Sequence, residues 1–273
     1  MRTPLFTIII PTLNEEKYLP HLLDSLTSQT IDDFEIIVAD GSSRDKTVER
    51  AQEYSQKLPN LRIVKSTHAS LPLQRNLGAA NALGEWYVFI DADTILLPYC
   101  LERMRLFIHK NRPQVFTTWY RPDSEVAGDA MITLFGNIML EGSIVFKRPL
   151  TPGPLTVVHR KIFHEIGGYD EHHAYHEDVD FGLRIFHHGV KLQILRETLW
   201  VWSLRRLRSQ GTLKVVQQYF VSYIPVLLFK RSMNFMPGYV MGGHMYDNKK
   251  RIKQTTLKRY ELKLKQLLKE YFE

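Results

Sequence analysis

The residues of this chain best placed for chemistry stand where apolar runs stop. Residues 86–90 (Trp-Tyr-Val-Phe-Ile) are continuously apolar and aromatic, the composition of a strand buried on both faces, and two carboxylates spaced i, i+2 follow at Asp91 and Asp93. In open α/β sheets ligands gather outside the carboxyl ends of the strands, so such a pair suits a hard cation with a phosphate-bearing ligand. The same pair also reads as a polar turn in which an aspartate caps a helix. Asp40 stands likewise after the apolar run 34–39, and Pro11 closes the run 6–10.

Such ends need a sheet behind them. Residues 6–10, 34–39, 61–64 and 86–90 read as strands. Helical patterns fall between them: one carries Tyr18, Leu19, Leu22, Leu23 and Leu26, with Asn14 as its expected cap and Pro20 in its first turn. A second carries Val48, Ala51 and Tyr54, and a third spans 70–82 and holds Arg75, Asn76, Gly78 and Ala79. This alternation with short links predicts a parallel sheet covered on both faces, with Pro11, Asp40 and Asp91 along one edge. After a helix over 97–110 the alternation stops. Residues 115–120 read as a strand, 131–140 as a helix, and 144–146 and 155–158 as short extended runs. Beyond the turn Gly167-Gly168-Tyr169-Asp170, the segment His176-Glu177-Asp178 opens a helix that stops at Gly189, and 191–195 and 199–202 read as two further strands. The second half is thus expected to be a mixed sheet.

With 273 residues, 44% of them hydrophobic, the chain is long enough to bury a substantial core. Its N-terminus enters an apolar run stopped at once by Pro11, which predicts neither a signal peptide nor a spanning helix there. The single cysteine, Cys100, excludes an intramolecular disulfide and a thiolate metal site, in keeping with a reducing compartment. The net charge of +7 is unevenly spread: residues 200–273 hold fifteen basic and four acidic residues, so the remainder is acidic overall. A basic tail suits anionic lipid, nucleic acid or a phosphorylated acceptor. The run 219–229 is uncharged but contains Pro225 and is half the length of a spanning helix. Residues 249–273 place Leu257, Tyr260, Leu264, Leu267, Leu268 and Tyr271 at helical spacing among nine basic and three acidic residues. That pattern fits a membrane-surface helix, or equally a helix packed on protein.

Four motifs in order carry a specific resemblance. Residues 7–15 (Thr-Ile-Ile-Ile-Pro-Thr-Leu-Asn-Glu), residues 38–47 (Val-Ala-Asp-Gly-Ser-Ser-Arg-Asp-Lys-Thr), Arg75-Asn76 with Gly78, Ala79 and Gly84-Glu85 leading to Asp91-Ala92-Asp93-Thr94, and Gly167-Gly168-Tyr169-Asp170 with Glu177-Asp178 together resemble the family 2 glycosyltransferases of GT-A fold. The resemblance covers residues 6 to about 211 and implies a Rossmann-like α/β fold: a mixed, mainly parallel sheet flanked by helices, here with a basic helical C-terminal extension.

The resemblance implies an inverting transferase that moves a sugar from a nucleoside diphosphate donor, UDP-linked, to a hydroxyl acceptor of saccharide or lipid-linked type. Pro11, Thr12 and Glu15 would border the nucleotide, Asp40 would read the base, and Arg75 would contact base or diphosphate. Asp93 would bind Mg²⁺ or Mn²⁺ directly, with Asp91 acting through water or on the sugar or ribose. Asp178 would be the general base, with Glu177 in reserve. Gly153, Gly168 and Tyr169 would meet the acceptor, and Arg205 and Arg206, with Arg208 behind them, would close over the diphosphate. The family's further metal ligand, commonly His, has no counterpart in Trp200-Val201-Trp202-Ser203, which leaves His159, His172, His173 and His176 as candidates.

The expected division is a transferase domain over 1–211, with a nucleotide-binding half (1–96) and an acceptor-binding half (97–211), followed by a basic extension (212–273). The expected location is the cytoplasm, peripheral at the inner face of the membrane, in cell-envelope polysaccharide or glycolipid synthesis. Two other readings fit parts of the pattern. A nucleotidyltransferase would need a Gly-rich basic loop after the first strand, where Pro11-Thr12-Leu13-Asn14-Glu15 stands; a non-catalytic nucleotide-sugar-binding module would have no need of Asp91, Asp93 and Asp178. Nucleic acid is not an expected partner, because nothing in 1–199 supports it.

Overall fold

The computed structural model describes residues 3–173 and 175–229 and the single positions 232, 242 and 245. Eight strands form one sheet. β1 (Phe6–Thr12), β2 (Phe34–Asp40), β3 (Leu61–Lys65) and β4 (Trp86–Ile90) make a parallel half in the order β3-β2-β1-β4, linked by α1 (Leu19–Thr27), α2 (Thr47–Gln52) and α3 (Leu71–Ala80). Every residue of β1, β2 and β4 is buried, as their unbroken apolar runs predict for strands covered on both sides. Alternation divides those side chains between two layers. Ile8, Ile10, Val38 and Val88 pack with Leu19, Leu22 and Leu26 of α1, while Ile9, Tyr87 and Phe89 face Ala79 of α3.

The second half completes the sheet with mixed directions. β5 (Ile95–Leu96), α4 (Cys100–Asn111), β6 (Val115–Pro122), α5 (Ala127–Val145), β7 (Leu155–His159), α6 (Arg160–Glu165), α7 (Glu177–His187), β8 (Leu192–Trp202), α8 (Arg205–Gln210) and α9 (Thr212–Phe229) follow in order. β7 lies antiparallel between β4 and β6, β8 runs parallel to β6, and β5 closes the far edge antiparallel to β8. Cys100, Leu101 and Met104 of α4 join the α1 layer, and Phe163 of α6 with Phe181 and Ile185 of α7 join the α3 layer.

Three local expectations are corrected. Residues 144–146 are not extended: α5 runs on to Val145 and Phe146 caps it, because Thr133, Asn137 and Ser143 turn inward at helical spacing. The runs 191–195 and 199–202 are one strand, β8, whose pairing with β6 shifts register around Trp119 instead of breaking. Asn14 does not cap α1, which starts at Leu19; it takes φ 55° and its side-chain oxygen accepts the Arg44 N–H at 2.7 Å. The run 219–229 belongs to the longer helix α9, which packs through Val215 on Leu204 and Leu207. The two-residue β5 carries no signal that its length would allow sequence to reveal. The helix expected over 249–273 lies outside the described residues. Among those described, no helix is long and apolar enough to cross a membrane.

Candidate active site

Parallel pairing sets the polar ends of β1 and β2 side by side, Thr12 against Asp40, and continuing the β1–β4 register brings Pro11 beside Asp91. The Thr12 hydroxyl donates to Asp40 at 3.4 Å, and Asp40 also accepts the Ser43 N–H at 3.1 Å. Gln74 of α3 locks this edge by donating to the carbonyls of Thr12 and Ala39 at 2.8 and 2.7 Å. Asp40 is 1% exposed and lies beneath the edge.

Arg75, the next residue on α3, is wholly buried and joins three segments distant in sequence. Its guanidinium donates to Asp91 at 3.2 Å, to Glu177 at the start of α7 at 3.0 Å and to the Gly153 carbonyl at 2.9 Å, with its plane 5.0 Å from the Tyr169 ring. A side chain with no exposed surface and three acceptors is a cross-link between these segments, and it also belongs to the lining of the cavity they surround. Glu177 faces the same way. Burial, with the Asp178 charge beside it, pushes its carboxyl up to about 7 despite the opposing pull of Arg75. Burial also raises Asp91 above the ordinary carboxylate range.

A second arginine holds the other aspartate. Arg205, at the start of α8, forms an ion pair with Asp93, Nε to carboxylate at 2.9 Å, donates from an Nη to Glu15 at 2.7 Å, and stacks 4.1 Å over the Tyr18 ring. Burial pushes Asp93 up to about 7 even with Arg205 alongside, since Asp91 and Glu15 crowd it with like charge. Arg205 thus ties Glu15, which follows β1, to Asp93, which follows β4.

Asp178 is fixed by backbone. Its carboxylate accepts the Gly153 N–H at 3.0 Å and the N–H of Val179 at 2.8 Å, and its carbonyl accepts the Thr151 hydroxyl. The Asp91 N–H donates in turn to the Pro154 carbonyl at 3.2 Å, so residues 151–154 stand between the two aspartates. At Gly153 a Cβ would lie 3.1 Å from the Asp178 Oδ2 and 3.5 Å from the Arg75 guanidinium.

These groups open into one cavity of about 560 Å³. Pro11, Thr12, Glu15, Arg75, Asp91, Asp93, Gly153, Glu177, Asp178, Arg205 and Arg206 all line it. Gly168 and Tyr169 do not. Gly168 (φ 69°) belongs to the turn ahead of α7, and Tyr169 is 3% exposed, stacked on Phe181 at 4.3 Å, so it supports Arg75 from behind. The rest of the wall had no sequence signal beyond helical periodicity. Phe135, Gly136, Met139 and Leu140 of α5 form one side, and Val216, Tyr219 and Tyr223 of α9 another, so the site extends past the expected boundary at residue 211.

The donor set at the cavity fits a hard cation. Asp91 and Asp93 each commit a single oxygen to arginine, and a cation would relieve the crowding of carboxylates that burial makes costly. Of the four candidate histidines, His176 alone lines the cavity; its Nε2 bonds the Ser222 hydroxyl at 3.0 Å, and its buried Nδ1 has no partner among the described residues. His159 caps α6 at the opposite end of the sheet, paired with Trp86, and His172 is exposed. Asp170, His173 and Asp180 form a separate cluster with ligand atoms within 4.8 Å of one another. There His173 already bonds Asp170 and Ser232, and Asp180 pairs with Arg184 at 2.7 Å, so the cluster closes on itself.

The family model described as Glycosyl transferase family 2 matches residues 7–167. A PGL/p-HBAD biosynthesis glycosyltransferase of Mycobacterium tuberculosis is 31% identical over 192 residues, covering 68% of this chain and 71% of that protein. An uncharacterized glycosyltransferase of Methanocaldococcus jannaschii is 29% identical over 239 residues, covering 82% and 78%. Among solved structures, residues 1–349 of TarS from S. aureus in complex with UDP-GlcNAc superpose with a TM-score of 0.60 at 21% identity, over 72% of this chain and 58% of that one. The mannosyltransferase PcManGT from Pyrobaculum calidifontis, in complex with GDP-Man and Mn²⁺, gives 0.62 at 20% identity over 83% and 69%. At those identities the structural likeness speaks to the fold alone, which is the GT-A arrangement of a mainly parallel sheet flanked by helices.

Proposed function

This chain belongs to glycosyl transferase family 2 and is a glycosyltransferase, and we propose that it transfers a sugar from a UDP-linked donor to a hydroxyl acceptor with inversion, in a metal-dependent reaction. The observation that carries the reading is the convergence of Asp91, Asp93 and Asp178 on one cavity, with Asp178 held by the Gly153 and Val179 N–H groups. The solved relatives bound to UDP-GlcNAc and to GDP-Man with Mn²⁺ support a nucleotide-sugar donor. In this reading Asp93 and Asp91 hold Mg²⁺ or Mn²⁺, which when bound neutralises charge on the departing diphosphate.

The chain's own residues do the remaining work. Asp178 takes the proton of the acceptor hydroxyl at a carboxylate oxygen as that hydroxyl attacks the anomeric carbon. The new C–O bond forms on the face opposite the departing nucleoside diphosphate, whose bond to the sugar breaks in the same displacement. Backbone donors on Asp178 keep it aimed without consuming a side chain. Arg75 ties Asp91 to Glu177 so that donor and acceptor groups share one frame. Glu15, Thr12 and Pro11 border the nucleotide, and Asp40 acts from beneath through Thr12. Arg205 and Arg206, which line the cavity, would offer their guanidinium donors to the diphosphate. Residues 1–96 form the donor half and 97–211 the acceptor half, and α9 from the extension completes the acceptor wall. The relative's printed role in PGL/p-HBAD biosynthesis supports a glycolipid acceptor at a membrane surface.

A panel of nucleotide sugars with Mn²⁺, scored for hydrolysis and thermal stabilisation, tests this directly. Asp178→Asn is expected to lower turnover by about 10²–10⁴-fold while donor binding persists, and Asp93→Ala to lose both. Normal turnover in either variant, or no nucleotide sugar bound by the native chain, ends the reading.

A further inference from the structure

Helix α5 is amphipathic in the wrong direction for a free surface helix. Its polar side chains turn to the protein: Asn137 exchanges hydrogen bonds with the Tyr120 backbone at 2.9 and 3.3 Å, Glu141 accepts from Trp119 and Arg196, and Asp129 pairs with Ser124 and Arg208. The outward stripe, by contrast, is dominated by apolar side chains. Met131, Leu134, Ile138 and Val145, joined by Phe146 just past the helix, are each more than half exposed at helical spacing, and Glu141, which falls between Ile138 and Val145 at that spacing, is drawn aside onto Trp119 and Arg196. Polar side chains hold this helix in place, so its apolar face is left for something else.

Two features say what that is. Cations fringe the stripe. Lys147 follows it directly, Arg148 stands half-buried beside it, and Lys214 is exposed on α9, which reaches α5 where Ile132 packs on Val215 and Leu207. Residues 230–273 add eleven basic and four acidic residues to the same chain. The stripe is also continuous with the site, because Phe135 and Met139 lie both on the exposed face and in the cavity wall. An apolar stripe with a cationic fringe matches the interface of a bilayer carrying anionic headgroups.

We propose that the outward face of α5, residues 127–146, docks this enzyme on an anionic lipid bilayer, seating the cavity between α5 and α9 at the level of the headgroups. A lipid-borne acceptor then reaches Asp178 without leaving the membrane plane. This last step rests on the proposed reaction; the docking itself does not.

The test is flotation of the full chain with vesicles of phosphatidylcholine containing about one third phosphatidylglycerol, beside vesicles of phosphatidylcholine alone. The native chain is expected to float with the first and much less with the second. The variant M131Q/L134Q/I138Q, altered outside the cavity, is expected to float at least about tenfold less while UDP still raises its melting temperature as in the native chain. Cys100 is buried, so a fluorophore on Ile138→Cys labels the stripe selectively and is expected to shift to the blue on adding vesicles. This single change also decides the matter if the triple variant does not fold. Equal flotation of the triple variant, no flotation of the native chain, or a label unmoved by vesicles overturns the proposal. A label already shielded before vesicles are added overturns it in favour of residues 230–273 covering the stripe; a native dimer that the triple variant makes monomeric overturns it in favour of a second copy. Intact docking in a chain that binds no nucleotide sugar would leave the stripe standing and remove the reaction.

Discussion

Arg75 shows how a residue's type can be legible while its job is not. Its planar donors suit a phosphate, yet it is fully buried among Asp91, Glu177 and the Gly153 carbonyl. Removing it strands a buried carboxylate, so Arg75→Ala is expected to cost about 3–5 kcal/mol in urea denaturation. Glu177 shares the pH dependence with Asp93, whose carboxyl burial also pushes up to about 7. The folded pKa of Glu177, about 7, lies above the ordinary 4.5, so the unfolded chain releases this proton first as pH rises. Its contribution is fully present below pH 4.5 and is lost as pH climbs through 7, on the order of 3 kcal/mol across that window. Stability followed against pH by denaturant titration is expected to fall less steeply over that window in Glu177→Gln. An unchanged slope would assign the dependence to other groups.

Among the elements, the short segment 151–154 matters out of proportion to its length. It accepts from Arg75, donates to Asp178 and receives the Asp91 N–H, so it sets the spacing between the donor and acceptor aspartates. Gly153→Ala would put a Cβ 3.1 Å from the Asp178 Oδ2, so the carboxylate has to give by a few tenths of an ångström against its backbone donors. Turnover is expected to fall by about 10–100-fold with little change in donor affinity, a split that steady-state kinetics beside calorimetric UDP titration would reveal. An equal loss of both would mean that the segment serves the donor side.

The whole molecule divides its work across the sheet: the parallel half presents Thr12, Asp40 and Asp91 along one edge, and the mixed half brings Asp178, α5 and α9 across from them. A ligand bridging the two halves stabilises both. UDP with Mn²⁺ at about 100 times its Kd is expected to add about 2.7 kcal/mol, a rise of several degrees in Tm. Asp93→Ala is expected to abolish that rise, and a full shift in the variant would remove Asp93 from the donor site.

The parallel half was readable from order alone, since short unbroken apolar runs ending in Pro11, Asp40 and Asp91, with helical patterns between them, fit buried strands that deliver polar groups to one edge. Family membership was readable too, because four short motifs in register with those strand ends are more specific together than any one of them. Tertiary structure decided what each charged group faces. Residues 75, 91, 153 and 177 meet only after the chain folds back, and a local pattern cannot tell which carboxylates and carbonyls an arginine will bond. Likewise, periodicity marked residues 131–140 as a helix, but only packing shows that its polar side faces the protein and its apolar side does not.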